Sequence, residues 1–268
     1  MLKSNNYFTF VTKFILMYKI FAFFLLTLTF FRGNAQYDAY AENKGNVLLA
    51  KVSMGFQTPG GYLQDRFGNS LSVGLGADVI THEKNWIVGI EGNYFFGTLV
   101  KQDVLASLRT PQGAIIGNDR NYADIQLRER GFYIGLLAGK LFLIPAKENR
   151  SGIRFTAGAG LLQHKIRIQD DPVRQVPQLL GEYRKGYDRL TNGLAFNEYI
   201  GYQILSNDGR INFTAGFEFT QGLTQNRRSI NFDTMSADTT QRLDLLYTFR
   251  LTWVIPFYFG KGTEEIFY

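Results

Sequence analysis

Two histidines, His82 and His164, are the only imidazoles in the 268-residue sequence, and no cysteine accompanies them. Acid–base or nucleophilic catalysis needs an imidazole within hydrogen-bond reach of Ser, Cys, Asp or Glu. His164 is the one candidate base. It is followed by Lys165 and Arg167, has no serine near it in sequence, and reaches Asp170-Asp171 only several residues on, in a loop. A histidine so placed is expected at an outer rim, solvated or against lipid headgroups. His82 adjoins the turn-forming run Glu83-Lys84-Asn85. The absence of Cys removes thiolate metal sites, a disulfide framework and lipobox attachment. Glycine-rich matches at Gly135–Gly139 and Gly158–Gly160 lie inside strand-like segments, where a phosphate cradle has no helix to open. No catalytic, cofactor or metal residue is assigned, and the chain is expected not to be an enzyme.

The charges that remain informative are isolated ones: Lys51, Asp78, Glu91, Arg154, Glu218 and Arg250. Each sits in a segment that alternates bulky apolar with polar or glycine residues, the period of a strand with two unlike faces. Leu71, Val73, Leu75, Ala77 and Val79 alternate with Ser72, Gly74, Gly76 and Asp78; Phe213, Phe217 and Phe219 alternate with Thr214, Gly216 and Glu218. The longest run, Leu245 to Phe257, places Thr248, Arg250 and Thr252 opposite its aromatics. Alternation therefore gathers three bases and three acids on one common face, as an ion-pair network.

Eight such segments fall near residues 47–57, 70–82, 86–97, 130–144, 152–168, 193–206, 210–222 and 241–259. Short turns at 83–85, 145–151 and 207–209 alternate with long polar connections at 58–69, 98–129, 169–192 and 223–240. An even strand count with short and long connections in turn predicts an all-β, eight-stranded antiparallel up-and-down transmembrane barrel. The charged face is then the lumen, which eight strands leave just wide enough for side chains. Aromatics at strand ends, Trp86, Tyr94, Phe96, Trp253, Phe257 and Phe259, are expected to form interfacial girdles. Two positions resist the assignment. Glu198 shares the lipid-facing parity of Phe196 and Ile200, which calls for a bulge or a place near the outer headgroups. Lys140 lies in a segment apolar on both faces.

The N-terminus agrees with export. Lys13 and Lys19 precede the apolar run Ile20–Phe31, and Gly33-Asn34-Ala35 supplies small residues before Gln36. Residues 1–35 thus read as a signal peptide cleaved between Ala35 and Gln36, with Met1 or Met17 as the start. Residues 36–46 are a short periplasmic segment, 47–259 the barrel and 260–268 a periplasmic tail. The chain carries 29 bases against 23 acids; losing Lys3, Lys13, Lys19 and Arg32 leaves 25 against 23, so +6 becomes +2 and nothing favours nucleic acid.

In these segments and connections the chain resembles the small eight-stranded outer-membrane barrels of the OmpA/OmpX/OmpW-like class, over nearly all of residues 47–259. The resemblance implies residence in a Gram-negative outer membrane and contact with its lipid and lipopolysaccharide. It also implies handling by the barrel-assembly machinery and, for such proteins, an envelope complex as a possible partner. The expected function is a structural, accessory or surface-interaction role through four long extracellular loops, with a lumen plugged by ion pairs. A small channel or OmpW-like transporter of hydrophobic solutes is the alternative, and a lipid-modifying enzyme using His164 the third. In the loops, residues 178–187 suggest a short amphipathic helix, and Arg109, Arg227 and Arg228 could reach lipopolysaccharide phosphates.

Overall fold

Bulky apolar residues on one face of a strand and small or polar ones on the other need two different surroundings. A ring of strands supplies both without leaving an open edge. The computed structural model describes residues 45–82, 84–144, 150–171, 173–205 and 212–259. The leader with its Ala35/Gln36 cleavage site, most of the segment 36–46, the turn at 207–209, most of that at 145–151 and the tail 260–268 lie outside the described residues.

The strands are β1 (Asn46–Gly61), β2 (Ser70–Ile80), β3 (Trp86–Gly97), β4 (Ile115–Ile116), β5 (Tyr122–Ala123), β6 (Gln126–Leu143), β7 (Gly152–Gln169), β8 (Thr191–Leu205), β9 (Asn212–Asn226) and β10 (Gln241–Phe259). Eight of them close a barrel in the order β1-β10-β9-β8-β7-β6-β3-β2, and β4 with β5 forms a separate hairpin between β3 and β6. Every pairing in the ring is antiparallel. Asn46 lies opposite Phe259, so both ends of the barrel segment stand at the same rim.

Segment positions follow the alternation closely, but several strands are longer than expected. β6 begins at Gln126, β8 at Thr191, and β9 runs on to Asn226. A crossing needs only about 9–11 residues. The added residues keep the ladder paired beyond the apolar band and shorten the loops. The turn after β2 is tied by the Thr81 amide donating to Trp86 O and the Trp86 amide donating to Thr81 Oγ1, each at 2.9 Å, with Asn85 at φ +52°.

Face by face, the alternation holds. Leu75 (69% exposed), Leu136, Phe217 and Trp253 (72%) point outward, while Ser53, Asp78, Asn93, Thr214 and Arg250 are buried inside. The interior is not reserved for small residues, however. Phe95, Tyr133 and Tyr199 also point inward, and glycines make the room: Gly131 across from Phe95, and Gly135 and Gly201 two residues along the same strand from Tyr133 and Tyr199. Gly131 is paired with Phe95, and a Cβ there would lie 2.2 Å from Phe95 Cζ. Gly131→Val is therefore expected to destabilise the barrel by ~1–3 kcal/mol through overpacking, read as a lower urea midpoint in detergent micelles.

Candidate functional site

The lumen is built in layers, each fixed by which inward positions the register brings level. At the rim shared by the termini, Val47, Leu49, Ile80, Ile87, Leu137, Leu141, Leu205 and Val254 form one buried apolar cluster. Above it Lys51 Nζ lies 2.7 Å from Asp78 Oδ1, and Arg154 pairs with Asp78 Oδ2 while donating to Gln203 Oε1 at 3.0 Å. Further in, Arg250 bridges Glu91 (3.1 Å) and Glu218 (2.5 Å). All six charges picked out by alternation thus point inward and are engaged with one another. They form two groups around Asp78 and Arg250. Polar pairs such as Gln57 with Thr248 and Asn197 with Thr220 line the same wall.

His164 stands elsewhere than expected. It is 1% exposed and faces the lumen, with Nε2 2.8 Å from Asp244 Oδ2 and its ring edge-on to Phe67 at 5.8 Å. Thr224 Oγ1 donates to the same Asp244 oxygen. The rim and headgroup reading fails because His164 has the parity of Leu162 and Ile166, both buried. Asp244 was missed for a simple reason. It shares the parity of Arg250 six residues on, but the apolar Leu243, Leu245 and Leu246 around it mask the alternation. Both side chains of the dyad are buried, and among the described residues the hydroxyl bonded to it is that of Thr224. His82, at the opposite rim, accepts from the Gly45 amide at 3.0 Å and contacts Arg150.

The long connections are not merely solvated. They fold over the mouth as a cap with its own apolar core, in which Leu63, Phe67, Val104, Leu105, Val176 and Leu179 are continuous with Phe95, Leu162 and Leu246 of the wall. Residues 178–187 belong to it as 3₁₀ turns, Pro177–Leu179 and Gly181–Gly186, and not as a regular helix. Asp171 accepts the backbone amides of Asp124, Val173 and Arg174, which hold its carboxyl below the usual range and tie the second loop to the third. The third joins the fourth through Tyr187 packed edge-on to Phe232 and through Arg228, whose guanidinium grips both oxygens of Asp188 at 2.8 and 2.6 Å. Arg109 is likewise held by Asp103, and Arg227 by Asn192. Of the three arginines expected to reach lipid phosphates, Arg109 and Arg228 are thus paired with carboxylates of the loops, and Arg227 is bonded to the neutral Asn192 of β8 and stays exposed.

On the exterior, Trp86, Tyr94, Phe96, Phe257 and Phe259 lie near strand ends, whereas Trp253, expected with them, stands well inside β10 opposite Val52. Trp86, Tyr94, Trp253, Phe257 and Phe259 are exposed and Phe96 is partly covered. Lys140 faces outward with Nζ 5.4 Å from the Trp86 ring and 5.7 Å from that of Phe142, a cation on aromatic faces at the lower girdle. Glu198 faces outward too, with no bulge. β8 and β9 pair without a break from Thr191 to Leu205, and Gln221 Nε2 donates to both its oxygens at 3.1 and 3.3 Å. The neighbouring strand's amide satisfies the carboxylate.

A closed ring of eight antiparallel strands satisfies its backbone internally, and an exterior of Leu, Ile, Val and aromatic residues around a polar interior suits a bilayer and not water. The fold is that of a small eight-stranded transmembrane β-barrel. No family model and no curated protein matches its sequence. Among solved structures the chain is similar to Neisserial surface protein A, at 10% identity over 78% of this chain and 97% of that one, TM-score 0.41. It is also similar to the attachment invasion locus protein Ail of Yersinia pestis (8% identity, 79% and 99%, TM-score 0.40) and to OprG of Pseudomonas aeruginosa (9%, 81% and 97%, TM-score 0.33).

Proposed function

We propose that the protein is a non-enzymatic outer-membrane scaffold that presents a folded loop cap for surface interaction, on a barrel whose lumen does not conduct. The carrying observation is the stacking inside the ring: an apolar layer, two ion-paired layers, and the apolar cap core over the far mouth. An ion entering such a path meets dry side chains at both ends and must separate paired charges between them. Each step is costly in low dielectric. The cap in turn holds large apolar side chains in water, among them Tyr122, Val173 (81% exposed), Tyr183 and Met235 (77%), on loops tied firmly enough to serve as a docking surface.

In planar bilayers the purified protein is expected to give no unitary conductance, and cross-linking on intact cells is expected to capture a partner at the cap. Reproducible channel steps, or uptake of a hydrophobic solute by vesicles bearing the protein, would favour the transporter reading and overturn this one.

A further inference from the structure

Four cations stand on the outer wall of the barrel where the lipid surface meets the cap. Arg128 and Arg130 lie on β6, Lys165 and Arg167 on β7, all with outward parity. The register places Arg128 directly opposite Arg167, and Arg130 directly opposite Lys165. Like charges in directly opposed positions destabilise a ladder, because their Cβ atoms are only about 4.5–5.5 Å apart. Two such pairs in succession form a feature that an isolated sheet gains nothing from. No carboxylate among the described residues pairs with any of the four. Asp170 is engaged by Arg184, and Asp188 by Arg228. Arg128 contacts only the neutral side chains of Gln126 and Gln169, and Arg130 donates to Glu129 O while its guanidinium lies 5.9 Å from the Phe96 ring centre.

The height of the cluster is fixed by the same strand. From Arg130 to Lys140 the outward residues of β6 are Phe132, Ile134, Leu136 and Ala138, all apolar. Ten residues rise ~33 Å along a strand, and with a tilt near 40° that is ~25 Å across the bilayer, the thickness of the apolar band. With Lys140 at the lower girdle, Arg130 and Lys165 fall at the outer headgroup level. An open groove of about 520 Å³ lies here; Arg130, Lys165, Arg167 and Arg184 line it together with Tyr94 and Phe132, and so do the carboxylates Asp170 and Asp188, each already engaged by an arginine of the cap.

We propose that this surface binds the phosphate groups of an outer-leaflet glycolipid, whose acyl chains lie down the wall along Phe132, Ile134 and Leu136. Guanidinium forks meet phosphate oxygens in paired hydrogen bonds, and an anion between the strands turns two repulsive pairs into bridges. The site needs the barrel to stand in the outer membrane but is independent of what the cap binds and of whether the lumen conducts.

The test uses the full mature chain in detergent micelles, titrated with bisphosphorylated hexa-acyl lipid A and followed by native mass spectrometry and by the urea midpoint. The wild type is expected to bind the lipid and to gain stability from it. R130Q/K165Q/R167Q is expected to bind at least tenfold more weakly and to gain none. Heat-modifiable gel migration reports whether that variant is folded, and its midpoint without lipid should equal or exceed the wild type's, since repulsion has been removed. R130K, which keeps the charge but not the fork, should bind more weakly than the wild type and more tightly than the triple variant; binding no tighter than the triple variant would count against a charge-driven site. Equal lipid A binding by the neutralised variant would overturn the proposal. So would inorganic phosphate or an acyl-free sugar bisphosphate displacing lipid A at equal concentration, which would make the surface a site for soluble anions.

Discussion

Arg250→Ala is expected to lower the stability of the barrel by about 3–5 kcal/mol, because it leaves two carboxylates, Glu91 and Glu218, buried without the cation they share. In micelles this should appear as loss of the compact gel form at temperatures the wild type survives, and as a lower urea midpoint. The companion variant discriminates charge from packing. Arg250→Met with Glu91→Gln and Glu218→Gln removes all three charges at similar volume, and is expected to recover most of the loss, since replacing a whole buried ionic group is often close to neutral. If the triple variant, which keeps the volume, were as unstable as Arg250→Ala, unpaired carboxylates would not be the cause of the loss, and the hydrogen bonds made by the guanidinium itself would be what holds the lumen together.

Phe67→Ala is expected to act on the cap and spare the ring. Phe67 is fully buried, packs on His164, and bridges to Val100, while Gly68 and Lys101 continue the tie between first and second loops through backbone bonds of 2.9 and 2.8 Å. Truncating a buried Phe costs about 3–5 kcal/mol, and local opening can absorb that cost without unfolding the strands. Trypsin is expected to cut at Arg66 and Lys101 much faster than in the wild type while heat-modifiable migration persists. Conductance should stay at zero, because the ion-paired layers lie below the cap. Conductance appearing in this variant would place the seal in the cap alone.

Which residues of a strand face the lumen was legible from alternation, and so Lys51, Asp78, Glu91, Arg154, Glu218 and Arg250 could be placed on one face before any fold was known. Which of them meet was not. Arg250 pairs with Glu91 across 159 positions of sequence and His164 with Asp244 across 80. The period of a strand states a face but not a height. Where alternation was interrupted by flanking leucines, as around Asp244, even the face was lost. The loop arginines were visible as charges, but Asp188 is brought to Arg228 only by folding of the cap and Asn192 to Arg227 only by the register of β8 and β9. Arg128 fell in what read as a loop, so its place opposite Arg167 had no meaning until β6 proved to begin at Gln126.

By itself the sequence determined the ring's strand number, the two unlike faces and the common rim of the termini, from local period and connection length, and it pointed to a bilayer through the bulky aromatics of one face against the glycines and charges of the other and through the leader. Only the tertiary structure decided the pairing of the lumen charges, the burial of His164, the folded cap and the doubled cation pairs on the outer wall. These depend on the offset between neighbouring strands. That offset is set when the ring closes on a fixed stagger, a property of all eight strands together and of none alone.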